Sequence, residues 1–271
     1  MLTSLFVQRT NQRPLRAAGL FTLLVLFSIA LICGAFLLLD VPIPEWFVIV
    51  GRWLPALVSL LVLRLVPLEG GLPTWWSLRP GGWRRLLGGG ATAVAVLVAV
   101  YALSVLPVVA LGAAEPQPWP ALAQVAVLLI PAVLLFSLST LGEEAAWRGF
   151  LQRALDSWGF WRSAAVVSAV WVLFHVPLHG TMAVQGVLPW DIALVSTVGL
   201  FPLGLYLSAV VARFGSVWPA VFAHALPFSA LNLLTDVDGL EPATLWLLTG
   251  ITAVPLLGAA ALFAPRSAGS R

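Results

Sequence analysis

Charge is what this chain has least of. Asp, Glu, Lys and Arg make up 9% of its 271 residues, lysine is absent, and all 14 basic residues are arginine. A soluble domain carries roughly a quarter of its residues charged, so a water-exposed fold is excluded. With one cysteine, Cys33, neither an intrachain disulfide nor a thiolate metal cluster can form. Glycine-rich phosphate loops, nucleic-acid motifs, internal repeats and long disordered tails are also missing, so no nucleic acid is expected as a partner. Residues 1–271 therefore read as a single transmembrane domain. Arginine without lysine, beside abundant Ala, Gly and Pro, fits a GC-rich bacterial genome, which is a statement about codons.

What the chain has instead is hydrocarbon. Hydrophobic residues reach 61% and mean hydropathy is +1.01, with 13 Trp, most of them near the ends of apolar runs as an interfacial belt. The runs predict an all-α, polytopic membrane protein with about eight transmembrane helices, at about 18–39, 46–66, 88–111, 121–142, 162–178, 191–211, 217–235 and 244–264. The first run is too long for a signal-peptide core and lacks a small-residue cleavage pattern, so it reads as a span.

The breaks between runs alternate in charge. Asp40, Glu45, Glu115, Asp191, Asp236, Asp238 and Glu241 fall on one side. Arg9, Arg13, Arg16, Arg79, Arg84, Arg85, Arg148, Arg153, Arg162, Arg213, Arg266 and Arg271 fall on the other. Positive-inside partitioning then puts both termini in the cytosol and favours an even number of crossings. It also explains the sequence pI of about 10.0 without an acidic partner. Arg52 is the exception, near the outer end of the second span, and reads as a side chain snorkelling to the interface.

Glu143 and Glu144 close the fourth run, and an ionised carboxylate at such a place costs at least a few kcal/mol unless it has a partner. On a helix, Glu144 shares a face with Arg148 four positions on, whereas Glu143 points about 100° away, free for chemistry. A solvated helix end with an ordinary i,i+4 ion pair would show the same residues. His175 and His224 lie in the fifth and seventh runs, and His179 in the loop beyond Pro177. Two intramembrane histidines with a carboxylate pair supply a hydrolytic set: Glu to take a proton from water, His to hold that water, His to stabilise an oxyanion. Glu143, His175 and His224 also match a His-His-Glu metal ligand set, with one divalent ion such as Zn2+ or none.

These residues resemble a known family. Glu143-Glu144-Ala145-Ala146-Trp147-Arg148 is similar to the E-E-x-x-x-R signature of the CAAX protease and bacteriocin-processing (Abi-type) intramembrane proteases, which include the type II CAAX prenyl endopeptidases. Trp171-Val172-Leu173-Phe174-His175 is similar to a second signature, an aromatic residue followed four positions later by His. A third, His followed four positions later by Asn or Asp, is met in part: His224 is followed by Phe228, and Asn232, one turn further on, is the candidate substitute. The resemblance covers about residues 121–235 as the catalytic-type core. It implies an endopeptidase acting on membrane-associated proteins or peptides in the lipid bilayer, in the bacterial inner membrane with its site facing the cytosol. Glu143 would be the general base, His175 its helper, His224 an oxyanion donor, and Glu144 with Arg148 a structural pair, the choice between Glu143 and Glu144 as base being left open by the sequence. The residues alone leave two alternatives open: a catalytically silent family member that binds another membrane protein, and a small proton-coupled transporter. The absence of inverted repeats weighs against the transporter.

Overall fold

The computed structural model describes residues 2–266, with side chains from Gln12 onward, so the Arg9 side chain and Arg271 lie outside the described residues. Among them there is no β-strand. In order come α1 (Leu2–Leu38), α2 (Glu45–Val50), a 3-10 turn (Gly51–Trp53), α3 (Leu54–Leu65), α4 (Leu72–Trp75), α5 (Trp83–Ala110), α6 (Trp119–Glu144), a π-helical stretch (Ala145–Leu151), α7 (Gln152–Ala154), a 3-10 turn (Asp156–Trp158), α8 (Phe160–Val184), α9 (Trp190–Phe214), α10 (Trp218–His224), the 3-10 turns Leu231–Leu233 and Val237–Gly239, and α11 (Pro242–Phe263).

Seven helical stretches among the described residues are long and apolar enough to cross a membrane: Gln12–Leu38, Glu45–Leu65, Trp83–Ala110, Trp119–Ala154, Phe160–Val184, Trp190–Phe214 and Pro242–Phe263. This makes the protein an all-α polytopic membrane protein. Side chains such as Leu23, Phe27, Val127, Ile130 and Leu138 point outward as a lipid-facing surface.

The eighth span expected at 217–235 is corrected. Only α10, seven residues long, is α-helical there, and the chain then becomes irregular. Pro227 explains the stop, because it offers no N–H and disfavours helical geometry at Leu226. Non-helical backbone survives at membrane depth only where protein partners satisfy it. Gln117 supplies its backbone N–H to Leu233 O (2.9 Å) and its side chain to Leu234 O (2.9 Å), while Thr235 N–H donates to Glu115 O (2.9 Å). At its other end the segment is tied to the turn before α5, through Val217 N–H to Ser77 O (3.0 Å) and Trp218 Nε1 to Leu78 O (2.9 Å). Since α5 runs between those two anchorages, residues 217–235 still cross the bundle, as a half-helix followed by an extended strap.

Two glycines let helices approach closely enough to build the centre. A Cβ on Gly142 would stand 2.7 Å from Arg52 O, so only glycine lets the Gly51–Trp53 turn lie against α6. A Cβ on Gly204 would stand 2.6 Å from Ser168 Oγ and 3.1 Å from Arg148 Nη2, so α9 closes over the buried arginine.

Candidate active site

The site begins where α6 changes pitch. The turns from Ala145 to Leu151 are π-helical, a geometry that widens the helix and recurs at functional sites. Every residue of Gly142–Leu151 is buried, although the preceding half of α6 lies largely exposed. Glu143 and Glu144 are 2% and 0% exposed, so the solvated helix end entertained from the sequence does not occur.

The two carboxylates are held differently. Glu144 Oε1 accepts from Arg148 Nη1 at 2.8 Å and lies 2.8 Å from His224 Nδ1. The Arg148 guanidinium also lies over the Trp171 ring, 4.2 Å from its centroid. Glu144 is thus enclosed. Glu143 Oε2 accepts a 2.7 Å hydrogen bond from Trp171 Nε1, and its Oε1 lies 3.5 Å from Arg52 Nε. Arg52, 29% exposed at its side chain, shares with Glu143 the wall of a cavity of about 200 Å³ that His175, His179, His224 and Trp171 also line.

The hydrogen-bond chemistry sets the imidazole roles. His175 Nδ1 lies 2.8 Å from Trp171 O, a carbonyl that can only accept, so Nδ1 carries the proton and Nε2 is left for other work. Thr197 Oγ1 donates its single proton to Ala193 O (2.6 Å) and therefore accepts from His179 Nδ1 (2.8 Å). His175 and His179 rings stand 5.3 Å apart. Trp171 is the hub: the rings of His175 and His224 meet it edge-on at 5.4 and 5.2 Å.

Of the residues singled out in the sequence, Glu143, Glu144, Arg148, His175 and His224 are gathered here. Asn232 is not. It is exposed, and its Oδ1 accepts from Ser229 N–H (2.8 Å) and Ser229 Oγ (3.0 Å). Phe228 packs edge-on against Tyr101 at 6.3 Å.

Glu143, His175 and His224 line one cavity without being drawn together as a three-ligand group. Among the described residues no three of His, Cys, Asp and Glu converge on one point. One oxygen of Glu143 is taken by an indole N–H, and the other faces a guanidinium, standing where a divalent cation would be repelled.

Two contributors were missed. Arg52 was read as snorkelling, yet it faces the cavity; the signal was there, since it broke the segregation of arginines. From the sequence His179 falls in the loop beyond Pro177. In fact α8 continues through Pro177 to Val184 and puts His179 in the wall.

Fold and site together define a polytopic helical membrane protein with an acid–histidine cavity inside the bundle. Residues 117–227 match the family model described as Type II CAAX prenyl endopeptidase Rce1-like, a family of CAAX-type intramembrane proteases. The match takes in all five gathered residues and stops one position before Phe228. A comparison with curated proteins gives no match.

Proposed function

We propose that the protein is an endopeptidase that hydrolyses peptide bonds of membrane-associated proteins or peptides with a glutamate-activated water and no metal step. The observation that carries this reading is the Glu143 carboxylate lining a cavity into which His175 and His224 also face. Glu143 takes a proton from a water positioned by His175 Nε2. The resulting hydroxide attacks the scissile carbonyl carbon, and the same proton passes from Glu143 to the leaving amine. Charge developing on the carbonyl oxygen is met by Arg52, whose fixed fork of donors supplies what Phe228 does not, and by His224 when its Nε2 carries a proton in addition to the Nδ1 proton facing Glu144. Glu144 and Arg148 do not touch the substrate; they hold His224 and Trp171, and through them the base.

The test is cleavage of membrane peptides by purified protein in detergent or lipid. Glu143→Gln and His175→Ala are expected to stay folded and lose cleavage. Retention of cleavage in Glu143→Gln overturns the assignment. A second reading, a silent member that binds another membrane protein, is favoured by the engagement of both Glu143 oxygens by Trp171 and Arg52. It predicts no cleavage by the unaltered chain at all.

A further inference from the structure

The cavity beside Glu143 has a floor and a mouth in opposite halves of the bundle. The floor is aromatic: Phe21 meets Trp147 at 5.4 Å and Phe150 at 5.3 Å, Trp147 meets Phe174 at 5.5 Å, and Trp75 lies 6.0 Å from Phe150. All five rings are buried. This layer lies toward the end where Arg153 stands over Trp75 (5.8 Å) and the turn at Ser77 and Leu78 holds Ser216 to Trp218.

The half-buried walls lie the other way. Phe47 and Val48 are two and three residues into α2. His179 lies about 8 Å from the last residue of α8, and Ser196 about 9 Å from the first of α9, at 1.5 Å rise per residue. Those helix ends meet at one face of the molecule, where the Gln185 side chain donates to Val41 O (2.8 Å) and accepts from Ile43 N–H (3.0 Å).

That face is the arginine-free one. The connections 39–44, 111–118, 185–189 and 236–241 contain no arginine, whereas Arg64, Arg79, Arg84, Arg85, Arg153, Arg162, Arg213 and Arg266 gather at the other end. Arginine near short loops marks the cytosolic side, and acidic residues count for little.

We infer that the cavity admits its substrate from the non-cytosolic face, so the substrate class is a peptide segment exposed on that face or in the outer half of the bilayer. This departs from the cytosol-facing site expected from the resemblance, and it rests on the proposed hydrolytic reading only for the word substrate. A cytosolic chain end would have to pass the Phe21–Trp147–Phe150 layer to reach Glu143; a segment from the other side meets the half-buried rim at Phe47, Val48 and His179, with Ile29 and Leu178 behind it.

Thiol accessibility tests the inference in intact cells. With Cys33→Ala as background, Val48→Cys and the nearly isosteric Ser196→Cys report the cavity wall, and the exposed Arg79→Cys reports the arginine end. A membrane-impermeant sulfonated maleimide is expected to label both wall cysteines in intact cells and to leave Arg79→Cys unlabelled until the membrane is permeabilised. The inference is overturned if the wall cysteines react only after permeabilisation, if they never react, or if Arg79→Cys reacts in intact cells. Labelling does not depend on hydrolysis, so a failure here is separate from loss of the Glu143 base, which the Glu143→Gln cleavage assay reads.

Discussion

Glu143 and Glu144 are neighbours in the chain but sit in regions built to opposite ends. Around Glu144 the structure is saturated: Arg148 at 2.8 Å, His224 at 2.8 Å, a tryptophan face under the guanidinium and no exposure at all. Around Glu143 there is a cavity, a single indole donor and a looser 3.5 Å approach to the partly exposed Arg52. A helix places adjacent residues about 100° apart, so one position of register sends one carboxylate into the packed floor and the other into space. Under the proposed hydrolytic reading, the difference is a division of labour: the enclosed acid orders the groups that the open acid uses.

Removing the carboxylate from each acid in turn gives the sharpest way to break this comparison. Glu143→Gln keeps an acceptor for Trp171 Nε1 while removing the base, so peptide cleavage is expected to fall by about 10²- to 10⁴-fold with the melting temperature nearly unchanged. Should cleavage survive, the open region is not the reacting one. Glu144→Ala is expected to do the reverse in kind. It leaves Arg148 buried without its partner, which costs about 3–5 kcal/mol, and thermal unfolding in detergent should show it as a large fall in melting temperature. An undiminished melting temperature would mean that the enclosed pair is not structural.

Arg52 sharpens the comparison from the cavity side. Its guanidinium is partly exposed, so its removal should leave stability close to that of the unaltered chain. If it meets the developing oxyanion, Arg52→Gln lowers kcat by about 10²- to 10³-fold while KM changes little. A change confined to KM would assign Arg52 to substrate binding instead.

The legible part of this molecule was whatever follows from solvent. Apolar runs and segregated arginines prescribed the long helices, because hydrocarbon leaves the backbone few choices. The carboxylate pair and the two intramembrane histidines were legible because each is expensive in that medium. The strap from Ala225 to Thr235 was not, since its apolar composition imitates a span; only the partnering of its backbone by residues 115–117 from a distant connection makes it stable. Arg52 belongs to the same class. Its place beside Glu143 depends on Gly142 admitting the Gly51–Trp53 turn, a contact across about ninety positions that periodicity does not encode.

Asn232 gives the smallest effect and tests where the polar cavity ends. Its side chain holds Ser229 through two bonds in an exposed turn, and loss of such local bonds costs under about 1 kcal/mol. Asn232→Ala should therefore leave cleavage unaltered and melting nearly so. Phe228→Asn asks the complementary question at the position where the family signature has its polar residue. There it exchanges a ring that packs against Tyr101 for an amide, so a modest loss of stability is expected whatever happens to rate. If Arg52 already serves the oxyanion, the new amide adds little to kcat; a gain of tenfold or more, about 1.4 kcal/mol, would show that the open region lacks a donor that Arg52 does not replace.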